Sequence, residues 1–218
     1  MNPNTRLGDI LANAITHGIG AGLAIAGAAC LIVASMRGTA TVVVSCAIFS
    51  GSLVFVYLCS TLYHSLVRTR ARHVFHVLDH SAIYVLIAGT YTPFALVSLR
   101  GALGWFVFAA EWSLALAGIL FKTLAMERLK ERRFAVLSTA VYLFQGWFIV
   151  FVGGALLHAI GWHGMLWLAA GGAAYTLGVI FFAFDRLPYF HAAWHIFVLA
   201  GSIAHYFAIL LYVVPAAA

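Results

Sequence analysis

Charged residues are scarce in this chain, because Asp, Glu, Lys and Arg together make up only 8% of its 218 residues. A soluble domain carries about 25% charged residues, so this chain could not cover a water-facing surface with polar groups. Hydrophobic residues make up 64% of the sequence, and the mean hydropathy is +1.02. The composition excludes an ordinary soluble domain and predicts an integral membrane protein.

Cysteine is also rare, and its placement excludes a disulfide framework. The three cysteines, Cys30, Cys46 and Cys59, all lie within apolar runs. An odd number of cysteines buried in helices does not suit disulfide pairing, and we interpret them as small packing side chains. The net charge of +6 would suggest a nucleic-acid partner in a soluble protein. In a membrane protein it indicates orientation instead, and we expect no nucleic-acid partner.

Seven apolar runs account for most of the chain, and each reaches the roughly 20 residues that a helix needs to cross a bilayer. They leave room for short loops but for no separate soluble domain. The sequence therefore predicts an all-α, polytopic bundle of seven transmembrane helices that forms one domain over residues 1–218. The predicted spans are about 16–35, 41–63, 77–98, 102–121, 134–153, 164–184 and 190–214.

The basic residues predict the orientation of this bundle, since Lys and Arg concentrate in cytoplasmic loops. With seven spans, ten of the twelve basic residues fall on the side of the N-terminus and two on the other side. The N-terminus is therefore predicted inside and the C-terminus outside. The ten are Arg6, Arg68, Arg70, Arg72, Lys122, Arg128, Lys130, Arg132, Arg133 and Arg186, and the two are Arg37 and Arg100.

Three polar sites interrupt the apolar runs, and ionisable groups inside a membrane tend to be functional. Ser60 and His64 lie near the end of span two, Asp79 near the start of span three, and His191 and His195 at the start of span seven. Residues four apart lie on one helix face, so each pair points in one direction. Because these helix ends share the cytoplasmic side, we expect the three sites to meet at one depth.

Such a meeting would suit a metal ion, since three imidazoles and an open position are typical of catalytic zinc. The fourth position would hold water, whose pKa falls toward 7 on zinc. Asp79 could ligate the ion directly or hydrogen-bond the water as a base. Ser60 could orient that water or a substrate oxygen. The residues leave these roles open.

A second group of histidines near the same side competes with this interpretation. His76 and His80 are four residues apart, and His73 precedes His76 by three. We interpret His73 and His76 as parts of a solvated, Arg-rich loop. His80 is rotated by about 100° from its neighbour Asp79 on a helix, so we expect it to pack beside the site rather than to bind the ion.

Five further polar residues have weaker interpretations. Asn13 and His17 are four residues apart at the entry to span one, and we expect them to form a polar brace near the site. Glu111 lies in the middle of span four and would pair with another helix or serve a proton path. Ser202 and His205 lie deeper in span seven, where they would line a polar cavity or hydrogen-bond across helices.

At these residues the sequence resembles the haemolysin-III-type membrane proteins, the bacterial relatives of the progestin and adipoQ receptors. The resemblance runs from span one to span seven. It rests on Asn13-Ala-Ile-Thr-His-Gly18, Ser60-Thr-Leu-Tyr-His64, Asp79-His-Ser-Ala-Ile-Tyr84, Leu86 through Pro93, Gly146-Trp147 and Phe190-His-Ala-Ala-Trp-His195.

The resemblance implies a seven-helix bundle in a bacterial inner membrane, with zinc near the cytoplasmic face. It implies that His64, His191 and His195 hold the zinc, that Asp79 lies by the zinc-bound water, and that Ser60 is nearby. The wider group includes alkaline ceramidases, and its receptors look like lipid-amide hydrolases. Bacterial members are linked to membrane lipid homeostasis, so membrane lipids are the expected partners.

Three functions follow as hypotheses from different classes. The first is a zinc-dependent hydrolase that acts on lipid amides or esters, and we favour it. The second is a receptor or sensor in which zinc is a structural brace. The third is a pore-forming or cytolytic protein, as the family name suggests, although the sequence has no amphipathic toxin-like segment and no repeated ring-forming motif.

Overall fold

The computed structural model describes residues 6–125 and 131–215, and the regular structure within these ranges is helical. This confirms the predicted all-α class. The α-helices are α1 (Leu7–Ser35), α2 (Ala40–Ser65), α3 (Ala71–Pro93), α4 (Gly101–Ala125), α5 (Glu131–Gly146), α6 (Gly153–Ala183) and α7 (Phe190–Ala208). Two of them continue as π-helical turns, α3 into Phe94–Leu99 and α7 into Ile209–Val213, and α5 continues as a 3-10 helix, Trp147–Phe151.

Six helices in the described ranges are long and apolar enough to cross a membrane, namely all except α5. The predicted span at 134–153 falls on α5 and its 3-10 continuation, where the apolar stretch is Val136–Phe151. At about 1.5 Å per α-helical residue and about 2.0 Å per 3-10 residue, that stretch reaches roughly 27 Å, against about 30 Å of hydrocarbon. Length and composition therefore establish six candidate spans.

The outer surface of the bundle is apolar. On α1 an exposed stripe recurs every fourth residue, with Leu7 66%, Leu11 50%, Ile15 57%, Ile19 56% and Leu23 52% exposed. Large apolar stripes of this kind do not face water in stable monomers. The opposite face of α1 buries polar side chains. This inverted arrangement is that of a bundle solvated by lipid.

The helices form a closed ring in chain order. Each of α1 to α6 contacts the next helix, and α1 also packs on α7, which closes the ring. The backbone N–H of Tyr189, just before α7, donates to the Asp9 carboxylate of α1 at 2.7 Å. Tyr189 has a φ of 62°, which is uncommon for a residue other than glycine. The contact with Asp9 thus fixes the entry to α7 against α1.

Several helices begin or end outside their predicted spans. α1 begins at Leu7 rather than near residue 16, and α3 begins at Ala71 rather than near 77. The prediction that His73 and His76 lie in a loop is therefore wrong. Helical hydrogen bonds are local and continue beyond the apolar run wherever polar side chains find partners or reach the membrane surface.

Similar differences occur at α4 and α6. α4 continues to Ala125, so that Lys122 is helical and only 2% exposed. α6 begins at Gly153, where the sequence predicts a loop up to residue 163, and a kink at Gly161 with a φ of 69° divides it. Such a φ favours glycine, and the kink lets one apolar stretch form two helical segments.

Close packing of α2 against α3 depends on Gly89. A Cβ atom placed there would lie 2.7 Å from the Cβ of Ser52, so the two backbones would have to separate. We expect Gly89→Ala to lower the free energy of unfolding by about 1 to 3 kcal/mol, as overpacking usually does. Thermal or denaturant unfolding in detergent measures this loss.

Gly51 provides the matched control, since a Cβ there would meet nothing within 4 Å. Gly51→Ala should leave stability unchanged or raise it by up to about 1 kcal/mol, because alanine is the better helix former. Equal unfolding midpoints for the two variants would contradict the packing argument.

Candidate metal centre

Three histidines from two helices meet inside one end of the bundle. His64 lies in the last turn of α2, and His191 and His195 lie at the start of α7. One ring nitrogen from each can be chosen so that all three lie within 4.8 Å of one another. Their ring centroids are 4.8 to 5.1 Å apart. This group can therefore hold a metal ion.

The positions of these histidines follow from helix geometry. His191 and His195 are one turn apart on the same face of α7, so their rings project side by side. α2 ends at the level where α7 begins, and His64 faces both rings across that gap. The spacing and the topology thus bring together the three histidines that the sequence singled out.

The donor set fits a transition-metal ion. The Nε2 atom of His64 is buried and has no hydrogen-bond partner in the structure, which is rare for buried polar atoms. Neutral imidazole nitrogens suit zinc and its first-row neighbours. An unpartnered nitrogen on a ring that lies beside two other imidazoles suits a metal-binding site.

Helix α1 contacts His195, the last of the three histidines in the chain, on its ring face and at its Nδ1 atom. The ring of His17 stacks on the ring of His195, with centroids 3.5 Å apart and planes 11° apart. The Nδ1 atom of His195 lies 3.0 Å from Oγ1 of Thr16 and 3.2 Å from the carbonyl oxygen of Asn13. Asn13 and His17 were predicted to brace the site. Thr16 was not singled out, although its position three residues after Asn13 on the same helix could have indicated it.

Ser60 and Asp79 share a cavity with two of the three histidines, His191 and His195. The cavity has a volume of about 140 Å³, and its wall is mostly apolar. Ser60, Asp79, His191 and His195 all contribute to that wall. Ser60 lies one helical turn before His64 on α2, and its hydroxyl is close to the Asp79 carboxylate. The structure thus places both predicted catalytic residues on the same cavity as two of the three candidate metal ligands.

Asp79 has two further polar neighbours. Nδ1 of His80 lies 3.8 Å from Oδ2 of Asp79 and 3.0 Å from the carbonyl oxygen of His76. The His80 ring therefore contacts the backbone of its own helix, α3, and His80 is not one of the three histidines of the group. Lys122 of α4 interacts electrostatically with Asp79. The sequence predicts Lys122 in a loop, because the apolar run of α4 ends just before it.

The remaining polar positions lie away from the histidine group. His205 lines the same cavity, while Ser202 accepts a hydrogen bond from Tyr57 at 2.8 Å and bonds Tyr175 across the helices. Glu111 is fully buried between α4 and α5, where its backbone carbonyl accepts a bond from the Gln145 amide at 3.1 Å.

The fold and this group of side chains define a helical membrane protein with an inward-facing cluster of three histidines. A model of the family described as "Haemolysin-III related" matches residues 10–206. The chain is 48% identical over 208 residues to "Hemolysin-3" of Bacillus cereus, which covers 95% of this chain and 93% of that one. It is 45% identical over 205 residues to "Hemolysin-3 homolog" of Bacillus subtilis, with 94% of each chain covered.

A more distant similarity extends to animals. The human "Monocyte to macrophage differentiation factor" is 32% identical over 176 residues, which cover 76% of this chain and 68% of that protein. The chain belongs to the haemolysin-III-related family. This confirms the family that the motifs of the sequence indicated.

Removal of two histidines tests the metal centre directly. We expect about one zinc ion per chain in the detergent-purified protein by elemental analysis, and loss of nearly all of it in a His191→Ala, His195→Ala double variant. With both removed, His64 is the one imidazole of the group that remains, and a single histidine is too few for a stable site.

His158 and His163 provide a matched control pair, because both are exposed and lie in the first half of α6, toward the end of that helix opposite to the one that leads into α7. A His158→Ala, His163→Ala variant should keep its zinc. Equal zinc in both double variants would mean that the metal binds elsewhere, and no metal in the wild type would mean that these histidines pack without an ion.

Proposed function

We propose that this protein is a zinc-dependent hydrolase of membrane lipid amides or esters, in a bacterial inner membrane, and that it contributes to membrane lipid homeostasis. One observation carries the proposal: three imidazoles have nitrogens within 4.8 Å of one another, and two of them, His191 and His195, line a mostly apolar cavity together with Asp79 and Ser60. A metal, a proton acceptor and a hydroxyl beside an apolar space are the parts that lipid hydrolysis requires.

His64, His191 and His195 would hold the ion. A bound zinc ion supplies a Lewis acid that polarises a carbonyl oxygen and makes a nearby water more acidic. The three neutral imidazoles keep the ion's full positive charge available for this purpose. Zinc rather than another metal is the proposal because three histidines with an open position are typical of catalytic zinc.

Asp79 would act as the base that takes a proton from the attacking water. The group of ligand atoms within 4.8 Å consists of the three histidines, and this supports a base beside the ion over a fourth ligand. The Ser60 hydroxyl is buried close to the Asp79 carboxylate, where it would orient the substrate carbonyl or the water.

The reaction balances with water as the only co-substrate. A bond forms between the water oxygen and the carbonyl carbon, and the bond from that carbon to the amine nitrogen or ester oxygen breaks. The proton that Asp79 accepts passes to the leaving group. The apolar wall, with Val56, Ile83 and Val198 among its residues, would hold the part of the acyl chain next to the carbonyl and exclude bulk water.

Two alternatives have specific support. The burial of His64 and His195, which are 8% and 2% exposed, favours a sensor in which zinc is a structural brace. The name of the Bacillus cereus relative, "Hemolysin-3", favours a lytic or pore-forming activity. A mostly apolar cavity is a poor ion path, which leaves the hydrolase as our first choice.

Isosteric substitution of two buried carboxylates tests the hydrolase. Purified protein in lipid nanodiscs would be incubated with ceramides, other N-acyl amides and lipid esters, and released fatty acid measured by mass spectrometry. We expect Asp79→Asn to lower turnover at least about 100-fold, the usual effect of losing a general base. Glu111→Gln should keep turnover, because Glu111 lies outside the cavity wall.

Zinc content is measured in parallel in both variants. Wild-type turnover by Asp79→Asn would exclude Asp79 as the base. Stoichiometric zinc in a wild-type protein that hydrolyses none of these lipids would favour the sensor, and ion flux through protein-containing liposomes would favour the pore.

The proposed topology has seven spans with the N-terminus inside and the C-terminus outside. It rests on the ten-to-two distribution of basic residues and requires the short helix α5 to cross the membrane. Fusions to green fluorescent protein should fluoresce after Ala125 and Arg186, and fusions to alkaline phosphatase should be active after Gly154 and Ala218. The same reporter response on both sides of α5 would exclude α5 as a membrane span.

A further inference from the structure

The contacts of α1 with His195 determine which nitrogen of that ring can bind a metal. Two oxygen atoms of α1 lie within hydrogen-bond distance of Nδ1, namely Oγ1 of Thr16 at 3.0 Å and the Asn13 carbonyl oxygen at 3.2 Å. A carbonyl oxygen only accepts hydrogen bonds. The contact with Asn13 therefore requires Nδ1 to carry a proton.

The hydroxyl of Thr16 agrees with this assignment. Its single proton points back along α1, because Oγ1 donates to the Ala12 carbonyl oxygen at 2.8 Å. Its lone pairs remain, and the N–H of His195 can donate to one of them. Both oxygens thus act as acceptors toward Nδ1, and the neutral ring then carries its free lone pair on Nε2.

We propose that Thr16 is a positioning residue of the metal centre: it fixes the tautomer and the plane of His195, so that Nε2 is presented to the ion. The inference rests on the proposed zinc site and adds the part that α1 plays in it. Hydrogen bonds to the other nitrogen of a ligating histidine orient the ring and raise its basicity.

The ring of His195 is held on two sides by the same helix. Thr16 and Asn13 hold its Nδ1 edge, and His17 covers one face at a centroid distance of 3.5 Å. His17 is itself 4% exposed and packs edge-on against Tyr57 of α2 at 5.0 Å. The ring therefore has little freedom to turn. Loss of the Thr16 oxygen would remove the one side-chain hydrogen bond to Nδ1 and leave the contact with the Asn13 carbonyl.

Zinc affinity of Thr16 variants tests this role. The full-length protein in detergent is stripped of metal and titrated with zinc against a chromophoric chelator. We expect Thr16→Val, which keeps the shape of the side chain and removes the oxygen, to bind zinc about 10 to 100 times more weakly. Thr16→Ser, which keeps the hydroxyl, should restore affinity to within a few-fold of the wild type.

Thr90 on α3 is the matched control. Its hydroxyl makes the same backbone bond one turn away, to the Leu86 carbonyl oxygen at 2.7 Å, and it lines the same cavity. Thr90→Val should bind zinc as the wild type does. The thermal midpoint of each metal-free variant separates lost affinity from lost folding, and Thr16→Ala replaces Thr16→Val if the latter unfolds.

Nitrogen NMR of the histidine side chains provides a readout without metal. The metal-free wild type should show His195 as the neutral tautomer protonated at Nδ1, and the opposite tautomer would overturn the proposal. Equal zinc affinity for wild type and Thr16→Val would also overturn it while leaving the proposed function intact. A wild type that binds no zinc would overturn both.

Discussion

Lipid offers no hydrogen bonds, and the rest of this structure follows from that constraint. Backbone polar groups must be satisfied within each helix, and polar side chains must find partners inside the bundle. On α1 the apolar stripe from Leu7 to Leu23 faces outward, while Asn13 and His17 are buried. The interior therefore collects the imidazoles, hydroxyls and carboxylates, and a polar centre can form there.

The ring of helices brings these buried polar side chains together at one place. α2 ends where α3 and α7 begin, so His64, Asp79 and His191 reach the same level although they are far apart in the sequence. α1 closes the ring against α7 through Asp9 at the surface and through Thr16 inside. The same helix pair thus holds the fold together and orients a candidate ligand.

The candidate ligands could be predicted because their spacing encodes direction: His191 and His195 must share a face on any helix. The ring stacking of His17 on His195 could not be predicted, since it depends on the crossing of α1 and α7. The burial of Lys122 was missed because a hydropathy run ends at the first charge, whereas the helix continues. The apolar stretch of α5, Val136–Phe151, is shorter than the span that hydropathy predicts at 134–153.

The arrangement is costly unless something binds to it. A buried nitrogen without a partner costs about 1 to 3 kcal/mol, and His64 Nε2 is such an atom. If His195 carries its proton on Nδ1, its Nε2 offers a second lone pair nearby. A proton could satisfy one of these nitrogens or bridge two, but only a metal ion accepts three lone pairs at once. In a protein whose total stability is about 5 to 15 kcal/mol, three converging imidazoles are therefore better explained by cation binding than by packing.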